Sequence, residues 1–228
     1  MLIKSISGIR GTIGGLPTES LTPPDVIKFA TGFALWVKEN NDSTKPLIVI
    51  GRDARISGSM ISLLVSSTLN SLGIDVVDLG MSTTPTVELA VSEKNANGGI
   101  ILTASHNPKN WNALKLLNSS GEFLSKSAGE RVLSLAESSV EYSLVEELGS
   151  TTCDDSWLQW HVDHVLNLEL VDPEKIRSKG LKIAVDGINS SGGIAIPLLL
   201  ESLGIEVVKI HCDPTGDFAH NPEPLPSH

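Results

Sequence analysis

The chain has few cysteines, little positive charge and no long apolar run. Among its 228 residues only Cys153 and Cys212 are cysteines, far apart and in no Cys-x-x-Cys. That removes a zinc ribbon and a disulfide framework from consideration. No apolar run approaches the length of a membrane span, and Met1-Leu2-Ile3-Lys4 is too short for a signal-peptide core. Lys and Arg number 17 against 27 Asp and Glu, a formal charge of −10, and the sequence pI is near 5.0. Such a balance argues against a nucleic-acid backbone or an anionic membrane as partner. A phosphorylated small molecule stays compatible, because a small site can be locally positive. A cytoplasmic protein is expected.

Apolar content of 40% is enough for real cores, and the length suits one large or two small domains. Short apolar runs alternate with amphipathic stretches. A strand is expected over 2–6. Ser7-Gly8-Ile9-Arg10-Gly11-Thr12-Ile13-Gly14-Gly15 holds four glycines in nine residues and reads as a loop. Its backbone N–H groups could face an anion with Arg10 as a cationic fork, or it could be a plain flexible loop. It is not a Gly-x-Gly-x-x-Gly dinucleotide fingerprint. Thr22-Pro23-Pro24-Asp25 starts a helix with a capping threonine, early prolines and an acid in the first turn. Leu47-Ile48-Val49-Ile50 is a strand, 59–72 a helix, 74–79 a strand and about 86–93 a helix. At the C-terminal end of the 47–50 strand, where open α/β sheets bind ligands, stands Gly51-Arg52-Asp53-Ala54-Arg55-Ile56-Ser57-Gly58. Arg52 or Arg55 there could meet a phosphate or a partner domain. An Arg–Asp clasp through Asp53 fits at least as well.

The centre of the chain is Thr103-Ala104-Ser105-His106-Asn107-Pro108. The strand Gly98-Gly99-Ile100-Ile101-Leu102 precedes it, and a second strand, Ala113-Leu114-Lys115-Leu116-Leu117, follows. A serine beside a histidine on a tight loop at a strand end is a perch for a hydroxyl nucleophile. Turns are also rich in Ser, Asn and Pro for conformational reasons alone. Lys115 sits in an otherwise apolar strand, where an unpaired ammonium is costly to bury.

A helix is expected over 126–140 and a linker over 141–155. Trp157, Trp160, His161, His164, Val165 and Leu168 then form a helical stripe. His161 and His164 lack companion ligands and read as ordinary surface or core histidines. Ser71-Leu72-Gly73-Ile74-Asp75-Val76-Val77 is echoed by Ser202-Leu203-Gly204-Ile205-Glu206-Val207-Val208. Each follows a strand, a polar turn and a helix, which suggests duplicated α/β units. The phrase is also a common helix stop before a strand.

Together these motifs resemble the α-D-phosphohexomutases, the family of phosphoglucomutase, phosphomannomutase and phosphoglucosamine mutase. Thr103–Pro108 with Lys115 looks like its phosphoserine loop, and Gly8-Ile9-Arg10-Gly11 like its opening motif. Gly51–Arg55 with Ser57-Gly58 looks like its second loop, and Asn221-Pro222-Glu223-Pro224 like a second-domain segment. Ser5-Ile6-Ser7 and Asn112-Ala113 depart from the usual aromatic-Gly-Thr and Asn-Gly.

The resemblance implies three-layer α/β/α domains with a mixed, mostly parallel sheet. Domain I would span 1–150, and 151–228 would be the start of a similar domain II. It implies phosphoryl transfer between C1 and C6 of a hexose or hexosamine phosphate, through phosphorylated Ser105 and a bisphosphate intermediate. Ser105, His106, Lys115 and Arg10 would be the catalytic residues. Mg²⁺ would be bound through the Ser105 phosphate, and a hexose 1,6-bisphosphate would activate. The family's metal loop has closely spaced aspartates, and no Asp-x-Asp-x-Asp occurs here; Asp213 and Asp217 flank what reads as a turn. Metal and sugar ligands are therefore expected beyond His228, and residues 1–228 alone are expected to be inactive. A sugar-phosphate binding module and a phosphatase-like hydrolase using the same serine are the alternatives.

Overall fold

A computed structural model of the chain describes residues 1–5 and 8–226. Ile6 and Ser7, part of the expected first strand and of the glycine-rich run, lie outside the described residues.

The first unit is built on a seven-stranded sheet. Its strands are β1 (Leu2–Ser5), β2 (Gly8–Thr12), β3 (Leu47–Arg52), β4 (Asp75–Met81), β5 (Gly98–Leu102), β6 (Trp111–Leu117) and β7 (Thr151–Cys153), in spatial order β1-β2-β6-β5-β3-β4-β7. The pairings β3·β4, β3·β5 and β4·β7 are parallel, and β1·β2, β2·β6 and β5·β6 are antiparallel. Strands β2, β5, β3, β4 and β7 thus run one way, and β1 and β6 the other. The sheet is mixed and mostly parallel.

Helices cover both faces. On one side α1 (Pro23–Glu39), α2 (Gly58–Ser71) and α4 (Lys126–Leu135) pack Phe29, Phe33, Ile61, Val65, Leu69 and Val132 against Ile48, Ile50, Ile100 and Leu102. On the other, α3 (Thr84–Glu93) and α5 (Trp157–Leu166) bring Val87, Val91 and Trp157 to Val49 and Ile101. Alternate residues of β3 and β5 go to opposite cores, and this is why those strands read as unbroken apolar runs. The start of α1 follows its sequence: the Asp25 carboxylate accepts from the Thr22 backbone N–H at 3.1 Å, with prolines in the first turn.

Several local expectations are corrected. Gly8–Thr12 is strand, not loop, so its backbone N–H groups belong to a ladder rather than to an anion; only Gly14 and Gly15 remain as a turn, both at positive φ. Helix α4 stops at Leu135. The stretch expected as a linker holds a 3₁₀ turn at Val145–Glu147 and strand β7, whose pairing with β4 carries the first sheet past residue 150.

The second unit contains α6 (Pro173–Arg177), β8 (Lys182–Asp186), α7 (Gly192–Ser202) and β9 (Glu206–Ile210), with β8 and β9 parallel. The repeat seen in the sequence is a repeat of backbone geometry. Helices α2 and α7 both end on a glycine with φ of 73°, Gly73 and Gly204. The next N–H, of Ile74 or Ile205, returns to the carbonyl of Leu69 or Leu200 in the same way. Glycine adopts this left-handed turn without the Cβ penalty. Helix α5 lies between the units, packed on α3 and α7, and His161 Nδ1 makes a 2.8 Å hydrogen bond with Thr86 Oγ1. That contact gives His161 a structural use.

Candidate active site

Strand β3 leads through α2 to β4 on one side, and β5 flanks β3 on the other. The C-terminal ends of β3 and β5 therefore border a topological switch point, the usual ligand crevice of an open α/β sheet. The loop after β3 carries Asp53 and Arg55, and the loop after β5 carries Ser105.

Ser105 is exposed and has φ of 54°. A serine in this left-handed region costs of order 1–3 kcal/mol, so its surroundings must hold it there. They do so through Arg55, which is 1% exposed. Its Nη1 donates to the carbonyls of Pro108 (2.7 Å) and Trp111 (2.9 Å), and its Nη2 to those of Ser105 and Asn107 (both 2.8 Å). Its Nε donates to Asp53 Oδ2 at 3.0 Å, so all five guanidinium N–H groups are used. Burial pushes the Arg55 pKa down while Asp53 pulls it back up.

Asp53 links the two loops a second time. Its Oδ2 accepts from Thr103 Oγ1 at 2.6 Å, and Thr103 Oγ1 in turn accepts from the Ser105 N–H at 3.1 Å. For Arg55 the geometry bears out the clasp reading of the Arg-Asp-Ala-Arg stretch and, through Phe218, a contact with the second unit as well. Among the described residues Arg52 reaches back only to the Asp53 carbonyl, at 3.2 Å.

The four residues expected at the site fall into two pairs. His106 Nδ1 stands 3.5 Å from Ser105 Oγ, and its Nε2 is 3.5 Å from Glu223 Oε2. Arg10 on β2 and Lys115 on β6 lie on one face of the sheet as diagonal neighbours, given the register Arg10↔Ala113 and Ile9↔Leu114. Arg10 Nε is buried without a hydrogen-bond partner. Lys115 has no hydrogen bond or ion pair among the described residues; its ammonium lies 5.8 Å over the Phe123 ring. Burial lowers the Lys115 pKa, the fields of Asp53 and Glu88 oppose this, and Arg10 and Arg55 add to it. Among the described residues neither Arg10 nor Lys115 is in an ion pair, and the carboxylates felt at Lys115 are Asp53 and Glu88; two neighbouring cations of this kind can attract an anion.

The second unit closes over the loop. Lys109 pairs with Asp217 at 2.7 Å, and Phe218 lies against the Arg55 guanidinium, 5.0 Å from Cζ to the ring centroid. Gly216, at φ of 74°, passes so near the Ala54 carbonyl that a Cβ there would come within 1.9 Å of its oxygen. Gly216, Asp217 and Phe218 are contacts the sequence reading missed. The signal was present as Asp-Pro-Thr-Gly-Asp-Phe, but nothing local says which surface a turn will meet.

Among the described residues no three or more His, Cys, Asp or Glu side chains gather as a metal site. Asp53, the buried carboxylate beside the loop, is engaged by Arg55 and Thr103, and Asp217 by Lys109. These residues do not form a Mg²⁺ cage. No helix among the described residues is long and apolar enough to cross a membrane.

Residues 2–143 match the family model described as phosphoglucomutase/phosphomannomutase, alpha/beta/alpha domain I, and residues 159–228 match that for domain II. The chain belongs to the phosphoglucomutase/phosphomannomutase family. It is 35% identical over 219 residues to a phosphoglucomutase/phosphomannomutase of Thermococcus kodakarensis, covering 94% of this chain and 47% of that protein. To a probable phosphoglucosamine mutase of Methanopyrus kandleri it is 31% identical over 221 residues, covering 96% and 46%. A putative phosphomannomutase structure from Thermus thermophilus shares the fold with a TM-score of 0.81 at 24% identity, covering 99% of this chain and 49% of that one. The chain thus spans about half the length of the curated relatives it matches.

Proposed function

We propose that this chain carries the phosphoryl-accepting site of a phosphohexomutase acting on a hexose or hexosamine phosphate. The observation that supports the reading best is an exposed serine on a loop that Arg55 holds at the switch point, in a sheet whose strands β2 and β6 carry Arg10 and Lys115 as neighbours, neither in an ion pair among the described residues. Such cations are what a phosphoserine dianion and a transferring phosphoryl group need. In the reaction, a sugar hydroxyl oxygen bonds to the phosphorus as the bond from Ser105 Oγ breaks. The hydroxyl proton leaves to a nearby base. The bisphosphate then returns its other phosphoryl group to Ser105 Oγ: the new bond forms as the bond from phosphorus to the sugar oxygen breaks, and the base gives its proton to that freed oxygen. Arg10 and Lys115 balance the charge on the phosphoryl oxygens. His106, 3.5 Å from Oγ, orients the serine oxygen. Mg²⁺ and a hexose 1,6-bisphosphate activator belong to this proposal; the described residues supply no metal cage, and Ser105, through its phosphate, is the residue of this chain that would hold the ion.

The test is a coupled assay on the full-length protein with a panel of glucose, mannose and glucosamine monophosphates and a bisphosphate activator. Interconversion of 1- and 6-phosphates without loss of inorganic phosphate is expected. Stoichiometric release of inorganic phosphate would identify a hydrolase. Binding with no covalent phosphate would identify a sugar-phosphate binding module.

A further inference from the structure

We infer that Arg55, a residue that cannot touch substrate, is the positioning residue for Ser105, and that Phe218 of the second unit holds it in place. The inference rests on the reading of Ser105 as the phosphoryl acceptor. Ser105 sits on the surface in a backbone conformation that serine seldom adopts. Local bonds from Thr103 and within the loop help to fix it, and the rest come from elsewhere in the chain. Arg55 spans the loop by gripping the carbonyls of Ser105, Asn107, Pro108 and Trp111 in two pairs, one pair on each terminal nitrogen. A planar fork with fixed angles can hold two pairs apart; a single ammonium cannot. Asp53 sets the fork's rotation through Nε and also holds Thr103, which holds the Ser105 N–H. The open side of this assembly is covered by the Phe218 ring and the Gly216 backbone. The position of Ser105 Oγ therefore depends on contact between the two units.

The mechanism of Proposed function gives Arg55 no charge to neutralise and no proton to move. Its loss should leave substrate affinity alone and misplace the nucleophile. A misplacement of about 1 Å can cost on the order of 100-fold in rate.

The test uses the full-length protein with Arg55→Lys and Phe218→Ala, measuring kcat and KM for the sugar phosphate, thermal stability and amide exchange loop by loop. For Arg55→Lys, kcat should fall on the order of 100-fold with KM within about two-fold of wild type. Exchange should accelerate over 103–111 and stay unchanged in β3 and β5. Phe218→Ala should give the same pattern with a smaller drop in kcat. A folded Arg55→Lys with wild-type kcat and only a lower melting temperature would overturn the inference. If Arg55→Lys does not fold, wild-type exchange over 103–111 in Phe218→Ala overturns it instead. Failure of the underlying reading looks different: wild-type protein would carry no phosphate on Ser105 and Ser105→Ala would keep full activity. The exchange data would still decide whether Arg55 sets the loop.

Discussion

Replacing Thr103 by valine removes one hydroxyl and keeps the shape. That hydroxyl donates to Asp53 at 2.6 Å and accepts from the Ser105 N–H at 3.1 Å. Thr103 is 9% exposed and Asp53 8%, so water has little room to take its place at the carboxylate. A hydrogen bond to a charged group contributes about 1.5–3 kcal/mol, and Asp53 keeps its two bonds from Arg55. The Ser105 N–H faces a more open environment and can turn to water, so its loss adds little. The expected destabilisation is about 2 kcal/mol. For a protein of this size each kcal/mol moves Tm by roughly 2–4 °C, so Thr103→Val should melt about 4–8 °C below wild type. Thr103→Ser, which restores the hydroxyl, should recover most of the difference. Differential scanning calorimetry at neutral pH reads both. A Thr103→Val transition within about 1 °C of wild type would refute the reasoning, since it would mean that Asp53 gains no net stabilisation from this bond.

Lys115→Met should leave the melting temperature unchanged or raise it, because it replaces a partly desolvated ammonium with no ion pair among the described residues by an apolar side chain of similar length; if the proposed function holds, mutase turnover of the full-length protein should nevertheless collapse, and wild-type kinetics would remove Lys115 from the site. Asp154 is held down to about 2 by hydrogen bonds from Ser156, Lys94 and Trp157, with burial working against them. A depressed carboxylate pKa stabilises the fold above its unfolded value and loses that contribution as pH falls through the folded value. Urea midpoints should therefore drop between about pH 4 and pH 2, less steeply in Asp154→Asn; equal slopes would assign the acid lability to other carboxylates.

Much of the fold was legible because the central strands β3 and β5 are apolar on both faces and α1 carries a clear start signal. Val49 and Ile50 go to opposite cores, and both had to be apolar. The repeat of Ser-Leu-Gly-Ile carried over because a left-handed glycine after a helix is a local requirement. Local reasoning failed where pairing partners were distant. Gly8–Thr12 has the composition of a loop and becomes a strand because β1 and β6 offer it two ladders. Thr151–Cys153 sits in a polar stretch and becomes the sheet's edge by pairing with β4. The same holds at the site. Ser105, His106, Arg10 and Lys115 were visible as chemical types in a pattern. The role of Arg55 as the support of the whole loop was not, because its four carbonyl partners are backbone atoms about fifty residues away that carry no side-chain signature.

The most direct test of the account is the location of the phosphate. The full-length protein, treated with a hexose 1,6-bisphosphate and digested, should yield one phosphorylated peptide, with the modification on Ser105. Ser105→Ala, treated in the same way, should carry none and should not interconvert sugar phosphates. Phosphate on any other residue of the treated wild type, or full mutase activity in Ser105→Ala, would contradict the account.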